Sequence, residues 1–378
     1  MNESPYAPFM REALALAEQG RWRAAPNPTV GAVLVRDGHI MARGWHAAYG
    51  RDHAETACLK DAAAHGVDPA QCTLVVTLEP CNHQGLTPPC TDAVLAAGIR
   101  HVVIGMADVN PGASGGAERL REAGVTVDMG VLEEECRDSM ADFLVWQTTE
   151  RPYVVLKMAA TLDGRIATRS GHAQRISGEQ SRQRVMALRE GVGLAGGAVL
   201  VGGNTFALDN PRLTARTPTA ARQPLAAVAT SRLPGMVPAF HLIQERPQDC
   251  VFFSSAAQAA SPSAVALKAR GVRVYGLDRA PSGRGLDVGQ LLATLRAEEH
   301  CLYVLCEGGA RMGFSLLEQG VVDEFLLHLA PVVLGDEEAK PLFAGRHVDS
   351  IEEGLRMHLT SMDVLGGDVR LSFRPVRD

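Results

Sequence analysis

A chain of 378 residues exceeds the length at which one hydrophobic core stops growing, so two domains are expected. Its 46% apolar content is ordinary for a soluble globular protein, and a net charge of −6 argues against a large nucleic-acid footprint, which needs clustered Lys and Arg. Eight cysteines without a regular framework point to reduced thiols in a cytoplasm and away from a disulfide scaffold.

Ser4, Pro5 and the pattern to Gly20 predict a capped helix, with no basic and then apolar run to mark a signal peptide. Strands are predicted at 30–35, 40–44, 73–78, 102–104 and 125–127, alternating with helical patterns. A helical pattern over 133–147 closes this part, a polar break at 148–152 follows, and a strand at 153–160 begins the next. The first domain is therefore placed at 1–147 and the second at 152–378. Further strands are predicted at 198–201, 225–229, 250–253, 272–276, 302–305, 324–329 and 369–373, so both domains read as α/β. The uncharged stretch 191–208 holds six glycines and does not read as a membrane span.

The clearest chemistry lies in the first domain. His53 and Glu55 open a helical stretch, Pro80 and Cys81 follow a buried strand, and Cys90 precedes another helical pattern. One imidazole and two thiolates can hold zinc with the fourth tetrahedral position left for water, whose pKa then falls near neutrality. Glu55 is left over as a proton carrier. A thiol at a helix N-terminus is biased toward the thiolate that the metal requires. His53 and Glu55 are two apart and point in different directions, so both address one ion only if it sits off the helix end. The arrangement resembles the signature of zinc-dependent nucleobase deaminases, with residues 82–89 in place of the usual two-residue gap between the cysteines. The alternative is a structural zinc site, which needs a fourth ligand, and His83 is the candidate. Cys58, Cys72, Cys136, Cys250, Cys301 and Cys306 lack partners at ligand spacing and are expected in the core.

Two glycine turns mark the second domain: Cys306-Glu307-Gly308-Gly309 after one strand and Gly202-Gly203-Asn204-Thr205 after another. Such turns let backbone amides approach a phosphate, or serve only as tight turns. Neither GxGxxG nor a P-loop is present. The arginines at 165, 169, 175, 182, 184 and 189 read as a solvated helix face or as phosphate contacts.

Six stretches carry a family resemblance: PNPTVGAVLV (26–35), GWHAAYGRDHAE (44–55), TLEPCNHQGLTPPC (77–90), LKMAATLDGRIA (156–167), DNPRLTAR (209–216) and CEGGARM (306–312). In order and over nearly the whole chain, they resemble the bifunctional deaminase and reductase family of riboflavin biosynthesis. The resemblance implies a cytidine-deaminase-like α/β/α domain followed by a dihydrofolate-reductase-like α/β domain, with Zn2+ in the first and NADPH in the second. It implies zinc-dependent deamination of a diaminopyrimidinone ribosyl phosphate at Glu55, His53, Cys81 and Cys90, then NADPH-dependent reduction of the ribosyl chain to a ribityl phosphate. It further implies pyrimidine contacts at Asn27, His46 and Glu79. NADPH contacts fall on Ala160, Arg175, Thr205, Asp209, Gly308 and Gly309, with Arg175 standing where the family usually has Trp. Contacts to the ribosyl phosphate fall on Arg189, Leu213, Arg216 and Glu307, and Lys157 and Asp163 lie in the matching strand segment. The expected partners are small-molecule nucleotides, with no nucleic acid and no membrane; a homo-oligomer is compatible with the sequence. A deaminase whose second domain reduces only slowly, and a nonenzymatic zinc-stabilised binding module, are the alternatives.

Overall fold

The computed structural model describes residues 3–85, 87–173, 176–235 and 240–376, in two units, Met1–Thr149 and Glu150–Asp378. The first is built on β1 (Gly31–Arg36), β2 (His39–Trp45), β3 (Thr73–Leu78), β4 (His101–Met106) and β5 (Thr126–Met129), in the order β2-β1-β3-β4-β5. β1 is antiparallel to both neighbours, whereas β3, β4 and β5 run parallel. β1, β3 and β4 are buried almost throughout, as strands covered on both faces must be. Two close approaches show how. A Cβ at Gly31 would lie 1.9 Å from the Ala13 carbonyl oxygen, and one at Gly44 would lie 2.2 Å from the Cys58 nitrogen. Ala32 pairs with Gly44, so Gly31 and Gly44 point to opposite faces. The helices Ala7–Ala17 and Ala54–Ala64 therefore cover opposite sides, giving an α/β/α sandwich.

The pattern expected as one helix over 133–147 is two, Glu133–Ser139 and Ala141–Thr148. Met140 leaves helical geometry at φ −111° with its side chain fully buried, and the Ser139 carbonyl accepts from the Thr29 hydroxyl at 3.3 Å instead of continuing the ladder.

The second unit holds β6 (Tyr153–Thr161), β7 (Arg165–Ala167), β8 (Ala198–Gly202), β9 (Leu225–Ala229), β10 (Cys250–Ser255), β11 (Arg273–Leu277), β12 (Tyr303–Cys306), β13 (Glu324–Ala330), β14 (Lys340–Pro341), β15 (Met357–Leu365) and β16 (Asp368–Pro375). Nine form one sheet, β11-β10-β9-β8-β12-β6-β13-β16-β15. All pairs from β11 to β13 are parallel, and the antiparallel hairpin β15–β16 closes the edge through Gly366 and Gly367. One face packs Leu156, Met158, Leu200, Phe253, Leu291, Leu295 and Phe325 into a continuous core. Asp323 anchors the first strand: it takes two hydrogen bonds from Arg151, at 2.6 and 2.8 Å, and one from the Val154 amide at 2.9 Å. β15 is absent from the expected strands. It is exposed on both faces and shows no alternation for a sequence reading to detect.

Candidate active sites

In the first unit, β3 delivers Glu79, Pro80 and Cys81 at its carboxyl end, and the chain returns to start the helix Cys90–Ala96 beside them. His53 caps the helix Ala54–Ala64 in extended geometry, and Glu55 lies in that helix's first turn. His53 Nδ1 is 3.6 Å from Cys81 Sγ and 3.3 Å from Cys90 Sγ, and the Cys90 amide donates to Cys81 Sγ at 3.4 Å. Tetrahedral zinc with bonds of 2.0–2.3 Å separates its nitrogen and sulfur donors by about 3.5 Å, so the three side chains fit the ion as they stand. Their donor atoms lie within 4.8 Å of one another, and among the described residues no fourth donor, His83 included, joins them. The group lies off the helix N-terminus, the one place where His53 and Glu55 can both reach it.

The electrostatics match. The Cys90 thiol and the His53 ring stabilise a thiolate at Cys81 against the effect of burial, drawing it down to about 4. The same bond to Cys81, together with burial, pushes Cys90 up, so one proton is shared between the two sulfurs until a cation displaces it. Glu55 is almost fully buried, and desolvation raises its carboxyl to about 7, where it can both take and return a proton at neutral pH.

His46 and Asn27 adjoin this cluster. The His46 ring meets that of His53 edge to face, 5.2 Å between centroids. Burial lowers its pKa and keeps the ring neutral. Nδ1 then donates to the Asp52 carbonyl at 2.9 Å and Nε2 accepts from the Asn27 amide at 3.2 Å. Glu79 is more heavily committed than its sequence position suggested. Its two oxygens accept from the Ala117 amide at 2.8 Å and the Asp108 amide at 3.0 Å, fixing the chain after β4. Arg119 also reaches the segment between the two cysteines. Nothing in the local sequence marks it, because its partners lie 27 to 37 positions away.

In the second unit the two glycine turns meet at the carboxyl ends of the adjacent parallel strands β8 and β12. A Cβ at Gly308 would come within 3.1 Å of the Gly202 nitrogen, and one at Gly309 within 3.4 Å of Thr205 Oγ1. The two turns thus pack closely on each other and on Met312 outside the strand ends, the position at which open α/β sheets bind ligands. Asp209 closes the helix Gly203–Asp209, and burial raises its pKa. Ala160 is buried near the end of β6. Beside these, Arg189 and Glu307 form a bidentate pair, with Nε and Nη2 at 2.7 and 2.8 Å from the two carboxylate oxygens, and Arg189 Nη1 donates to the Thr214 carbonyl at 3.1 Å. Burial pushes Glu307 upward, but the charge and hydrogen bonds of Arg189, with Lys157 and Arg216 nearby, outweigh it and hold the carboxylate below its ordinary range. Leu213 is buried at φ +50°, a strained conformation for a bulky residue. Asp163 anchors the amides of Leu334 and Gly335. Arg175 lies outside the described residues.

Comparison with known proteins follows the same division. Residues 4–106 match the cytidine and deoxycytidylate deaminase zinc-binding region, and residues 152–371 match the RibD C-terminal domain. The riboflavin biosynthesis protein RibD of Aquifex aeolicus is 37% identical, over 97% of this chain and 97% of its own. The chain belongs to the RibD family. The RibD of Actinobacillus pleuropneumoniae is 38% identical over 97% of this chain and 94% of its own. The crystal structure of the diaminohydroxyphosphoribosylaminopyrimidine deaminase/5-amino-6-(5-phosphoribosylamino)uracil reductase of Thermotoga maritima superposes with a TM-score of 0.78 at 32% identity, covering 98% of this chain and 99% of that one. A structure of Acinetobacter baumannii RibD gives 0.76 at 31% identity, with 99% of both chains covered. The RibD fold is a cytidine-deaminase-like domain joined to a dihydrofolate-reductase-like one. The protein is accordingly a bifunctional deaminase and reductase of riboflavin biosynthesis that uses Zn2+ and NADPH. Among the described residues, no helix is long and apolar enough to cross a membrane.

Proposed function

We propose that the first unit deaminates a diaminopyrimidinone ribosyl phosphate and that the second reduces the ribosyl chain of the product, with His53, Cys81 and Cys90 as zinc ligands and Glu55 as the catalytic proton carrier. The observation that carries this reading is the convergence of one imidazole and two sulfurs at zinc-donor distances beside a buried, unligated carboxyl. When bound, zinc supplies the Lewis acidity that turns water into a nucleophile near neutral pH. Glu55 would take a proton from the attacking water and hand it to the departing ammonia, for which a carboxyl poised near 7 is suited. The neutral His46, with both ring nitrogens taken by the Asp52 carbonyl and the Asn27 amide, would fix Asn27 in place for the pyrimidine, and Glu79 would keep lone pairs for its exocyclic donors.

In the second unit, Gly308, Gly309, Thr205, Asp209 and Ala160 would seat NADPH, which when bound supplies the hydride for carbon 1 of the ribosyl chain. Arg175 is proposed to contact the cofactor on sequence grounds. Arg189, Leu213, Arg216 and Glu307 would hold the substrate's phosphate end. The Glu307 carboxylate acts there by orienting Arg189, whose remaining N–H groups face outward from the pair. A centre built on two reduced thiolates fits a cytoplasmic location.

The test is Glu55→Gln in the full chain, assayed with the diaminopyrimidinone nucleotide for ammonia release and with the deaminated product for NADPH oxidation. Deamination should fall by about 10²- to 10⁴-fold with zinc content and reduction unchanged. Wild-type deamination in the variant would overturn the assignment.

A further inference from the structure

Arg119, on the helix Gly116–Glu122, has a place in the metal centre that the reaction chemistry does not assign. Its guanidinium donates through Nη1 to Asn82 Oδ1 at 2.7 Å and to Thr91 Oγ1 at 3.2 Å, and through Nη2 to the Asp92 carboxylate. The Thr91 hydroxyl also donates to Asn82 Oδ1 at 3.3 Å. Asn82 directly follows Cys81, and Thr91 directly follows Cys90. One side chain thus ties together the residues next to both sulfur donors, and the intervening segment leaves from one and returns at the other. The helix that carries Arg119 is itself fixed to the same stretch. Glu79 accepts from the Ala117 amide, the Asn82 amide donates to the Ala113 carbonyl at 3.0 Å, and Gly116 abuts the Pro80 carbonyl so closely that a Cβ there would lie 1.9 Å away.

From this geometry we infer that Arg119 is a positioning residue for the zinc centre, holding Cys81 and Cys90 at the separation the ion requires. The inference rests on the reading of His53, Cys81 and Cys90 as the ligands. A planar guanidinium offers these three oxygens a rigid, spread fork of donors, whereas a lysine ammonium donates from a single point on a flexible stem, so the role depends on shape as much as on charge. Arg119 and Asp92 are both substantially exposed, and an exposed ion pair adds little to fold stability. Loss of the side chain should therefore register in metal retention much more than in unfolding. Partners of this kind typically carry a 10- to 100-fold effect on metal affinity.

The experiment compares wild type, Arg119→Gln, Arg119→Lys and Cys81→Ser as full-length, zinc-loaded proteins. Zinc release is followed by competition with a chromogenic chelator, with thermal unfolding and NADPH oxidation as controls. Both Arg119 variants should lose zinc at about tenfold or more lower chelator concentration, with the reductase rate unchanged. Excess zinc should restore their deamination. Zinc retention equal to wild type in both, while Cys81→Ser loses the metal, would overturn the positioning role alone. Retention in Cys81→Ser would instead overturn the ligand assignment beneath it. If Arg119→Gln fails to fold, Arg119→Lys carries the comparison, because it keeps the charge and the aliphatic stem.

Discussion

Substituting His328 by Phe isolates one source of acid sensitivity in the second unit. His328 sits in β13 with no exposed surface, and among the described residues neither ring nitrogen has a hydrogen-bond partner. Burial, reinforced by Lys157, Arg370 and Arg184 and partly offset by Asp368, lowers its pKa to about 4. The unfolded chain has the ordinary value of about 6.5. The folded value is the lower one, so as pH falls the unfolded chain takes up the proton first. The stabilisation is complete above about 6.5 and is lost progressively down to about 4. Linkage puts the loss at about 2 kcal/mol by pH 5 and close to zero at pH 7.5. A phenyl ring fills nearly the same space and cannot be protonated. The unfolding free energy of His328→Phe relative to wild type should therefore rise by about 2 kcal/mol between pH 7.5 and pH 5. Urea unfolding followed by far-ultraviolet circular dichroism measures this. Trp22, Trp45 and Trp146, the three tryptophans of the chain, all lie in the first unit, so their fluorescence supplies an internal control that should not change. A difference between variant and wild type that stays constant across this pH range would refute the reasoning.

Two further substitutions test the packing around each site. Glu307→Gln leaves the Arg189 guanidinium buried without its counter-charge, which should cost the second unit about 3–5 kcal/mol, seen as a lowered circular-dichroism midpoint with zinc content unaffected; a loss under about 1 kcal/mol would show that water already screens the pair. Gly116→Ala drives a methyl group against the Pro80 carbonyl and should cost about 1–3 kcal/mol in the tryptophan-monitored unfolding of the first unit, an expectation that an unchanged midpoint would defeat.

The parts of the molecule that the sequence makes legible are those whose signal is local. Continuous apolar runs marked β1, β3 and β4 because both faces of those strands are covered, and the metal trio could be read because each donor sits at an element boundary with its own turn chemistry. What stayed hidden depends on contacts between distant positions. The break at Met140 arises from a hydroxyl 110 residues away, at Thr29, that takes the Ser139 carbonyl. The pairing of Arg189 with Glu307 joins residues 118 apart, and although family resemblance pointed to both, only the fold shows that they hold each other. The family resemblance points to Glu79 as a substrate contact; its bonds to the Asp108 and Ala117 amides belong to a loop whose path no spacing reveals. The burial of Cys58, Cys72, Cys136, Cys250, Cys301 and Cys306 follows from the ordinary behaviour of thiols without partners.

The outer strand β15 has a practical consequence for handling the protein. Its sequence, Met357 to Leu365, has no Lys, Arg or Pro, and Leu359, Met362 and Val364 are exposed along it. Sheets ordinarily discourage strangers from joining such a border with a lysine, a proline or a bulge. Here a bulge near Leu359 is the one deterrent of the three present. The neighbouring β16 ends at Pro375, so a C-terminal tag would emerge beside this border and add extendable chain where intermolecular pairing begins most easily. A single lysine at Met362 would be the economical remedy for a preparation that clumps on concentration.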